Sequence, residues 1–397
     1  MSEEVYATSY GLDVTSYGLE ARPTTKTKVE NLVKTKIKEA MEKRRVSTTE
    51  TTTYDIASDT YVAETPEGPV RTRPELKPDQ IYFSDLFKEL WIIDREDFGV
   101  TMFKHMATDY PWDERIASFV PSINPAYVID KDLAANVLRA WELNERVLCY
   151  GPTGAGKSSL IEQLCARTGR PFVRVNCTGD MDTSMIFGQL TAKEGSTIWV
   201  DGAVTEAVRY GAVFAWDEWD VTPPEISMGL QWLLEDEGKL FLKEMPGSTK
   251  DKQIVPHEHF RIVAIGNTQG QGDETGSHAG TNVQNSATLD RFGTAIYVDY
   301  LEASIEEKML TNRWPTTITT KTAKELVKLA NLIRNGYKAS QFNLTMSPRS
   351  LFSICNKVSF GMSLRAAFSL VYLNKLNDTQ RKVADELFTK IYGNKEI

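Results

Sequence analysis

Apolar positions fall into two regimes along this chain: sparse and irregular before about residue 80, dense and periodic after about residue 131. Asp130 to Leu143 sets Leu133, Val137, Leu138 and Trp141 on one helical face. Val147 to Tyr150 is a short apolar run, and Ser159 to Arg167 returns to helical spacing through Leu160, Ile161, Leu164 and Cys165. Further short runs follow at Phe172–Asn176, Ala212–Trp216, Arg261–Gly266 and Thr294–Val298. Strands that alternate with helices predict an α/β domain with a parallel sheet between helices. Thr222-Pro-Pro-Glu225 predicts another helix start, with Thr222 as N-cap and Ile226, Leu230, Leu233 and Leu234 as its buried side. Gly238–Lys243 and Lys252–Val255, joined through Pro246-Gly247-Ser248, predict a β-hairpin.

Beyond Leu301 the period is helical throughout. Ala323, Leu326, Val327, Ala330 and Ile333 share a face, as do Leu351, Ile354, Cys355 and Val358, and Val383, Leu387 and Ile391 mark a last helix. At the other end, Thr8-Ser-Tyr-Gly-Leu-Asp13 is nearly repeated by Thr15-Ser-Tyr-Gly-Leu-Glu20, too short a repeat for a solenoid. Thr25 to Arg45 predicts a basic amphipathic helix, either a solvated face of the protein or a surface for a partner or nucleic acid. Ser47 to Pro78 reads as linker. Ile81 to Pro125 regains apolar density through residues such as Phe87, Leu90, Trp91 and Trp112. The expected organisation is a flexible, partly disordered extension over 1–80, a small module over 81–130, a core over 131–300 and a helical domain over 301–397.

Composition narrows the class. At 397 residues with 41% hydrophobic positions, the chain suits two or three units with a sizeable core. The net charge of −8 argues against a general nucleic-acid coat. No uncharged apolar run is long enough to span a membrane, and Met1-Ser-Glu-Glu is no signal peptide, so the expected location is the cytoplasm. Cys149, Cys165, Cys177 and Cys355 are scattered, as buried reduced thiols would be. His105, His257, His259 and His278 lack the spacing of a metal site, and a structural or surface role is expected.

The chemistry lies in three stretches. Gly151-Pro-Thr-Gly-Ala-Gly156-Lys157-Ser158 fits the phosphate-loop spacing between an apolar run and a helix. Its glycines let backbone N–H groups converge on phosphates at a helix N-terminus, with Lys157 reaching the terminal phosphates and the Ser158 hydroxyl a divalent cation. The expected nucleotide contacts are Gly151, Pro152, Thr153, Gly154, Ala155, Gly156, Lys157, Ser158 and Ser159. Asp217 and Glu218 end an apolar run: Asp217 suits the Mg²⁺ shell, and Glu218 suits the base that polarises the attacking water. Asn267, at the end of the next run, lies between these motifs.

Gly151–Ser158, Trp216-Asp217-Glu218, Ala264-Ile-Gly-Asn267-Thr268 and Leu289-Asp-Arg291-Phe292 resemble, in order, the motifs of AAA+ ATPases of the MoxR-like clade. Pro171–Asn176, Gln231–Leu240 and Gly272-Asp273-Glu-Thr275-Gly276 resemble the group around the CobS subunit of aerobic cobaltochelatase, and the likeness runs from about Asp113 to Pro315. The resemblance implies an AAA+ P-loop core with a C-terminal helical lid, ATP and Mg²⁺ as cofactors, and hydrolysis in a ring, with six subunits the family's usual number. It implies Asn267 as sensor 1 and Arg291 as an arginine finger for the neighbouring subunit's ATP. Arg349 is implied as the sensor 2 arginine, with Arg334 and Arg365 as competitors. Trp199 falls where the clade inserts a hairpin, facing the ring's pore or simply packed. The expected function is a ring motor that remodels a protein partner. Alternatives are the motor subunit of a cobalt or magnesium chelatase, a nucleic-acid-stimulated ATPase acting through Lys26–Arg45, and a non-hydrolysing ATP-gated scaffold. A GTPase is disfavoured, because Asn374-Lys375-Leu376-Asn377 lacks the aspartate of the guanine-reading element.

Overall fold

The computed structural model describes residues 53–55, 60–62, 74–87, 97–103, 117–272 and 280–393. The repeat at Thr8–Glu20, the basic segment Thr25–Arg45, Leu90, Trp91, His105, Trp112, His278 and residues 273–279 lie outside them. The chain divides into Met1–Pro74 and Glu75–Ile397. In the first unit, Thr53–Asp55 pairs antiparallel with Thr60–Val62, inside the stretch expected as linker. Both segments hold Thr and Tyr, which favour the pleated backbone over coil.

In the second unit, labels β1 to β5 are kept for one parallel sheet. Its strands are β1 (Val147–Tyr150), β2 (Phe172–Asn176), β3 (Val213–Asp217), β4 (Arg261–Gly266) and β5 (Thr294–Tyr297), in the spatial order β5-β1-β4-β3-β2. β3 and β4 are buried at every position, which is why they read as solid apolar runs rather than as alternation. Successive side chains still point to opposite faces. Val147, Cys149, Val213, Ala215, Val263 and Ile265 meet helices α1 (Lys131–Glu142) and α2 (Lys157–Thr168). Leu148, Phe214, Trp216, Ile262 and Ala264 meet α3 (Ala203–Tyr210) and the helix Pro224–Leu230. Asp130 caps α1 through Oδ1, which accepts from the N–H groups of Asp132 and Leu133 at 2.9 and 3.0 Å.

Thr222 does not cap the following helix. That helix begins at Pro224 with no side-chain cap, and the Thr222 hydroxyl accepts instead from Nε1 of Trp216 at 2.8 Å. A buried indole N–H without an acceptor costs about 1–3 kcal/mol, so the core claims the oxygen that the helix end would use. The expected hairpin is present but short, pairing Leu240–Phe241 with Gln253–Ile254. A longer hairpin, Gly188–Lys193 with Ser196–Asp201, stands before α3 with most of its residues exposed. Trp199 is folded onto its base: it packs on the core cluster and donates to Oδ1 of Asp201 at 2.7 Å.

The C-terminal helices α4 (Ala303–Arg313), α5 (Thr320–Lys338), α6 (Pro348–Ser359), α7 (Leu364–Val371) and α8 (Asp378–Tyr392) enclose a separate core. All five expected face residues of α5 are fully buried. On α8 the buried line is Ala384, Phe388 and Tyr392, one position beyond the expected Val383, Leu387 and Ile391. Phe388 stacks on Phe368 at 5.0 Å, and an aromatic's larger apolar area decides which line turns inward. The four cysteines are all free and buried. Among the described residues no helix is long and apolar enough to cross a membrane.

Ahead of α1, strand Gln80–Tyr82 pairs with Gly99–Thr101, and both are fastened to the last residue of α1. Glu142 accepts from Gln80 Nε2, Thr101 N–H and Thr101 Oγ1, each at 2.8 Å. Phe87 and Val100 complete the cluster under α1.

Candidate nucleotide site

The carboxyl ends of β1, β3 and β4 converge, which in open α/β sheets is where ligands bind. β1 leads into the loop Gly151–Gly156, and the loop leads into α2. Gly151 has φ +147, and a Cβ there would lie 2.1 Å from the Val298 carbonyl oxygen, so only glycine fits. Gly154, at φ +75, leaves no space for a side chain against Ser347 of the helical lid.

Lys157 folds back over this loop. Its Nζ donates to the carbonyls of Gly151 at 2.7 Å and Pro152 at 3.0 Å, and to Oδ1 of Asn267 at 3.0 Å. Burial pushes its pKa down, while nearby thiol and carboxylate groups, Glu218 among them, oppose the shift. Asn267 in turn donates from Nδ2 to Oε2 of Glu218 at 3.0 Å. Lysine, asparagine and glutamate thus form one chain of contacts across the ends of β1, β4 and β3.

The Ser158 hydroxyl donates to Oδ2 of Asp217 at 2.9 Å, and that same oxygen pairs with the Arg174 guanidinium. Two adjacent hard oxygen donors at the end of the sheet fit a Mg²⁺ ion, which favours carboxylate, hydroxyl and phosphate ligands. Glu218 has φ +54, in the left-handed region. Burial raises its pKa above the usual carboxylate range, reinforced by the charges of Asp220 and Asp217 and opposed by Lys157 and Arg174.

Asp220, which sequence reasoning passed over, is fully buried behind this constellation. Its Oδ2 accepts from Asn267 N–H at 3.1 Å, Thr268 N–H at 3.0 Å and Thr268 Oγ1 at 2.9 Å. Its backbone carbonyl accepts from Asn282 N–H at 2.7 Å and Gln284 Nε2 at 3.3 Å. One residue therefore fixes the asparagine strand end and the loop that leads towards Arg291. Its signal in the sequence is slight, an acid three positions past Asp217 with a tryptophan between.

Arg291 stands apart. It precedes β5, and β5 runs parallel to β1, so it lies at the amino ends of these strands, opposite the carboxyl ends that carry the phosphate loop. Its partner there is Oε1 of Glu235 at 3.1 Å, together with the Ala287 carbonyl, and not the adjacent Asp290. The lid arginines also separate. Arg334 is buried in a two-pronged pair with Glu306 at 2.7 and 2.9 Å, and Arg365 binds Asp385. Arg349 is exposed in the first turn of α6, two residues after the Ser347 that abuts Gly154. Tyr300 supplies a link that the sequence did not suggest. Its hydroxyl donates to the Thr153 carbonyl at 2.9 Å and meets Thr345 Oγ1 at 3.1 Å. His257 and His259 pack against each other with ring centroids 5.3 Å apart, and among the described residues no cluster of three or more His, Cys, Asp or Glu side chains is placed to hold a metal ion.

Residues 146–292 match the AAA domain (dynein-related subfamily). The aerobic cobaltochelatase subunit CobS of a Sinorhizobium species is 28% identical over 283 residues, covering 70% of this chain and 84% of that protein. An uncharacterised protein of Staphylococcus aureus is 26% identical over 250 residues, covering 62% of this chain and 89% of its own length. Among solved structures, a putative ATPase from Cytophaga hutchinsonii overlays with a TM-score of 0.37 at 17% identity, covering 68% of this chain and 83% of that one.

Proposed function

We propose that this chain, an AAA+ P-loop protein similar to CobS and the MoxR-like ATPases, hydrolyses ATP in a closed ring and uses the cycle to remodel a protein partner. The observation that carries the reading is the lysine–asparagine–glutamate chain at the carboxyl ends of the strands, with Arg291 held at their amino ends.

In this reading the backbone N–H groups of Gly151 and of Thr153 to Ser159, with the ammonium of Lys157, hold the phosphates. To do so Lys157 exchanges its contacts with the Gly151 and Pro152 carbonyls for phosphate oxygens. Ser158 and Asp217 would hold Mg²⁺, which would supply positive charge to offset that of the phosphates. Glu218 accepts a proton from the attacking water, and its bond from Asn267 Nδ2 sets where its carboxylate points. From the amino end of β5, Arg291 does not serve the site of its own chain at the carboxyl ends. It reaches the phosphates bound by a neighbour, where its fork meets charge that develops in the transition state. Head-to-tail contacts of this kind close into a ring, and six copies are the number we propose. Arg349 comes to the phosphates from the lid.

Steady-state phosphate release from the full chain tests the reading. Glu218→Gln should lower kcat by about 10²–10⁴ and leave ATP bound; an unchanged rate would remove Glu218 from the mechanism. The same trapped ring is the bait for the partner. Similarity to CobS favours one specific second reading, the motor subunit of a metal chelatase. Co-purification with a large tetrapyrrole-binding subunit would decide for it.

A further inference from the structure

Arg174 has no role in the scheme above, yet it binds the carboxylate on which that scheme depends. It lies on β2, the edge strand next to β3, with Arg174 opposite Ala215 and Asn176 opposite Asp217. Val173 and Val175 turn to the α3 side of the sheet. Arg174 therefore faces the α2 side, as Val213, Ala215 and Asp217 do. From there its guanidinium pairs with Oδ2 of Asp217, the oxygen that also accepts from Ser158.

The arginine thus sits on the Asp217 oxygen next to the Ser158 hydroxyl, where a divalent cation held by both residues would lie, and its positive charge competes with that cation. Its side chain is 42% exposed, so it is free to reorient, whereas Asp217 is 6% exposed and fixed. When the cation takes Asp217, the guanidinium loses its partner beside a strongly anionic nucleotide. A planar fork fits phosphate oxygens as well as it fits a carboxylate.

We propose that Arg174 is a switch arginine: it neutralises Asp217 before nucleotide binds, yields that carboxylate to Mg²⁺, and turns its fork onto the terminal phosphate of a bound nucleoside triphosphate. The proposal rests on the nucleotide-site reading above. It differs from a structural prop in one sign. A prop that holds Asp217 in place makes Mg²⁺ binding easier, whereas a competitor makes it harder.

Equilibrium binding of fluorescent ATP and ADP analogues to the full chain reads both halves of the switch without turnover. With the ADP analogue, Arg174→Ala should need about threefold less Mg²⁺ for half-saturation, because the competing charge is gone. In saturating Mg²⁺ the same variant should lose about tenfold of the preference for ATP over ADP, the worth of one charge-assisted fork. Arg174→Lys keeps the competition for Asp217 but recovers little of that preference, because an ammonium lacks the fork. An Mg²⁺ requirement that rises or stays unchanged in Arg174→Ala, or an undiminished preference for ATP, overturns the proposal. Wild-type binding that depends on Mg²⁺ beside an indistinguishable variant sinks this proposal alone. A wild-type chain that binds neither analogue sinks the nucleotide site as well. Arg174 is a half-exposed edge position, and matching circular dichroism spectra check that both variants fold.

Discussion

Glu218 and Asp220 show how one short stretch divides chemistry from positioning. Glu218 faces the site with a pKa raised by burial and by its acidic neighbours. Only the deprotonated carboxylate accepts a proton, so the rate should fall as pH drops through that raised value. The acid limb of the kcat–pH profile should therefore lie above the ordinary carboxylate range, and a limb at about 4.3, the value of an unperturbed glutamate, contradicts the assignment. Asp220 carries no exposed charge to the site; it anchors Asn267 and Thr268. Asp220→Ala leaves three donors unpaired and should cost about 1–3 kcal/mol in chemical denaturation, with a larger fall in kcat than in ATP affinity. Gly151–Ser158, Asp217-Glu218 and Asn267 stood out in the sequence because each sits in a local pattern, a glycine-rich loop or a polar residue that ends an apolar run. Asp220 and Arg174 have no such local signal, and only their contacts with Asn267 and Asp217 in the fold single them out.

At the scale of elements, β2 and β4 have the expected bounds, β3 is shifted by one residue, and β5 ends one residue early. Solid apolar runs announce buried strands whatever packs on them. Helix ends and faces were less legible, because competition in the core decides them: Trp216 takes the Thr222 hydroxyl, and Phe388 turns α8 by one position. The lid gives a stability test of its own. Arg334 and Glu306 are each under 5% exposed and joined by two hydrogen bonds, and the guanidinium also covers the Tyr300 ring at 4.1 Å. Glu306→Ala leaves that charge buried without its partner and should cost about 3–5 kcal/mol, seen as a lower thermal midpoint. Replacing both residues with apolar side chains should recover much of the loss.

The fold as a whole sets the phosphate loop at the carboxyl ends of the sheet strands and Arg291 at their amino ends, and the proposed sharing of one site by two copies can be tested by mixing. Lys157→Ala removes phosphate binding but keeps Arg291, and Arg291→Ala does the reverse. Each variant should be nearly inactive alone, with activity returning when the two are combined, by about one part in four at equal mixing if copies assort at random. Mixtures that stay inactive, beside single variants that still assemble, would remove the finger from Arg291. The matched AAA domain begins at residue 146, but the second unit begins at Glu75. The Glu142 clasp makes that difference practical for anyone trimming the gene. A fragment started at the domain boundary would lose α1 together with the two strands clasped to its Glu142, and bare Val147, Cys149 and Ile161 on that face of the sheet. A truncated gene should therefore open ahead of Gln80, since shorter products would emerge sticky and prone to clump.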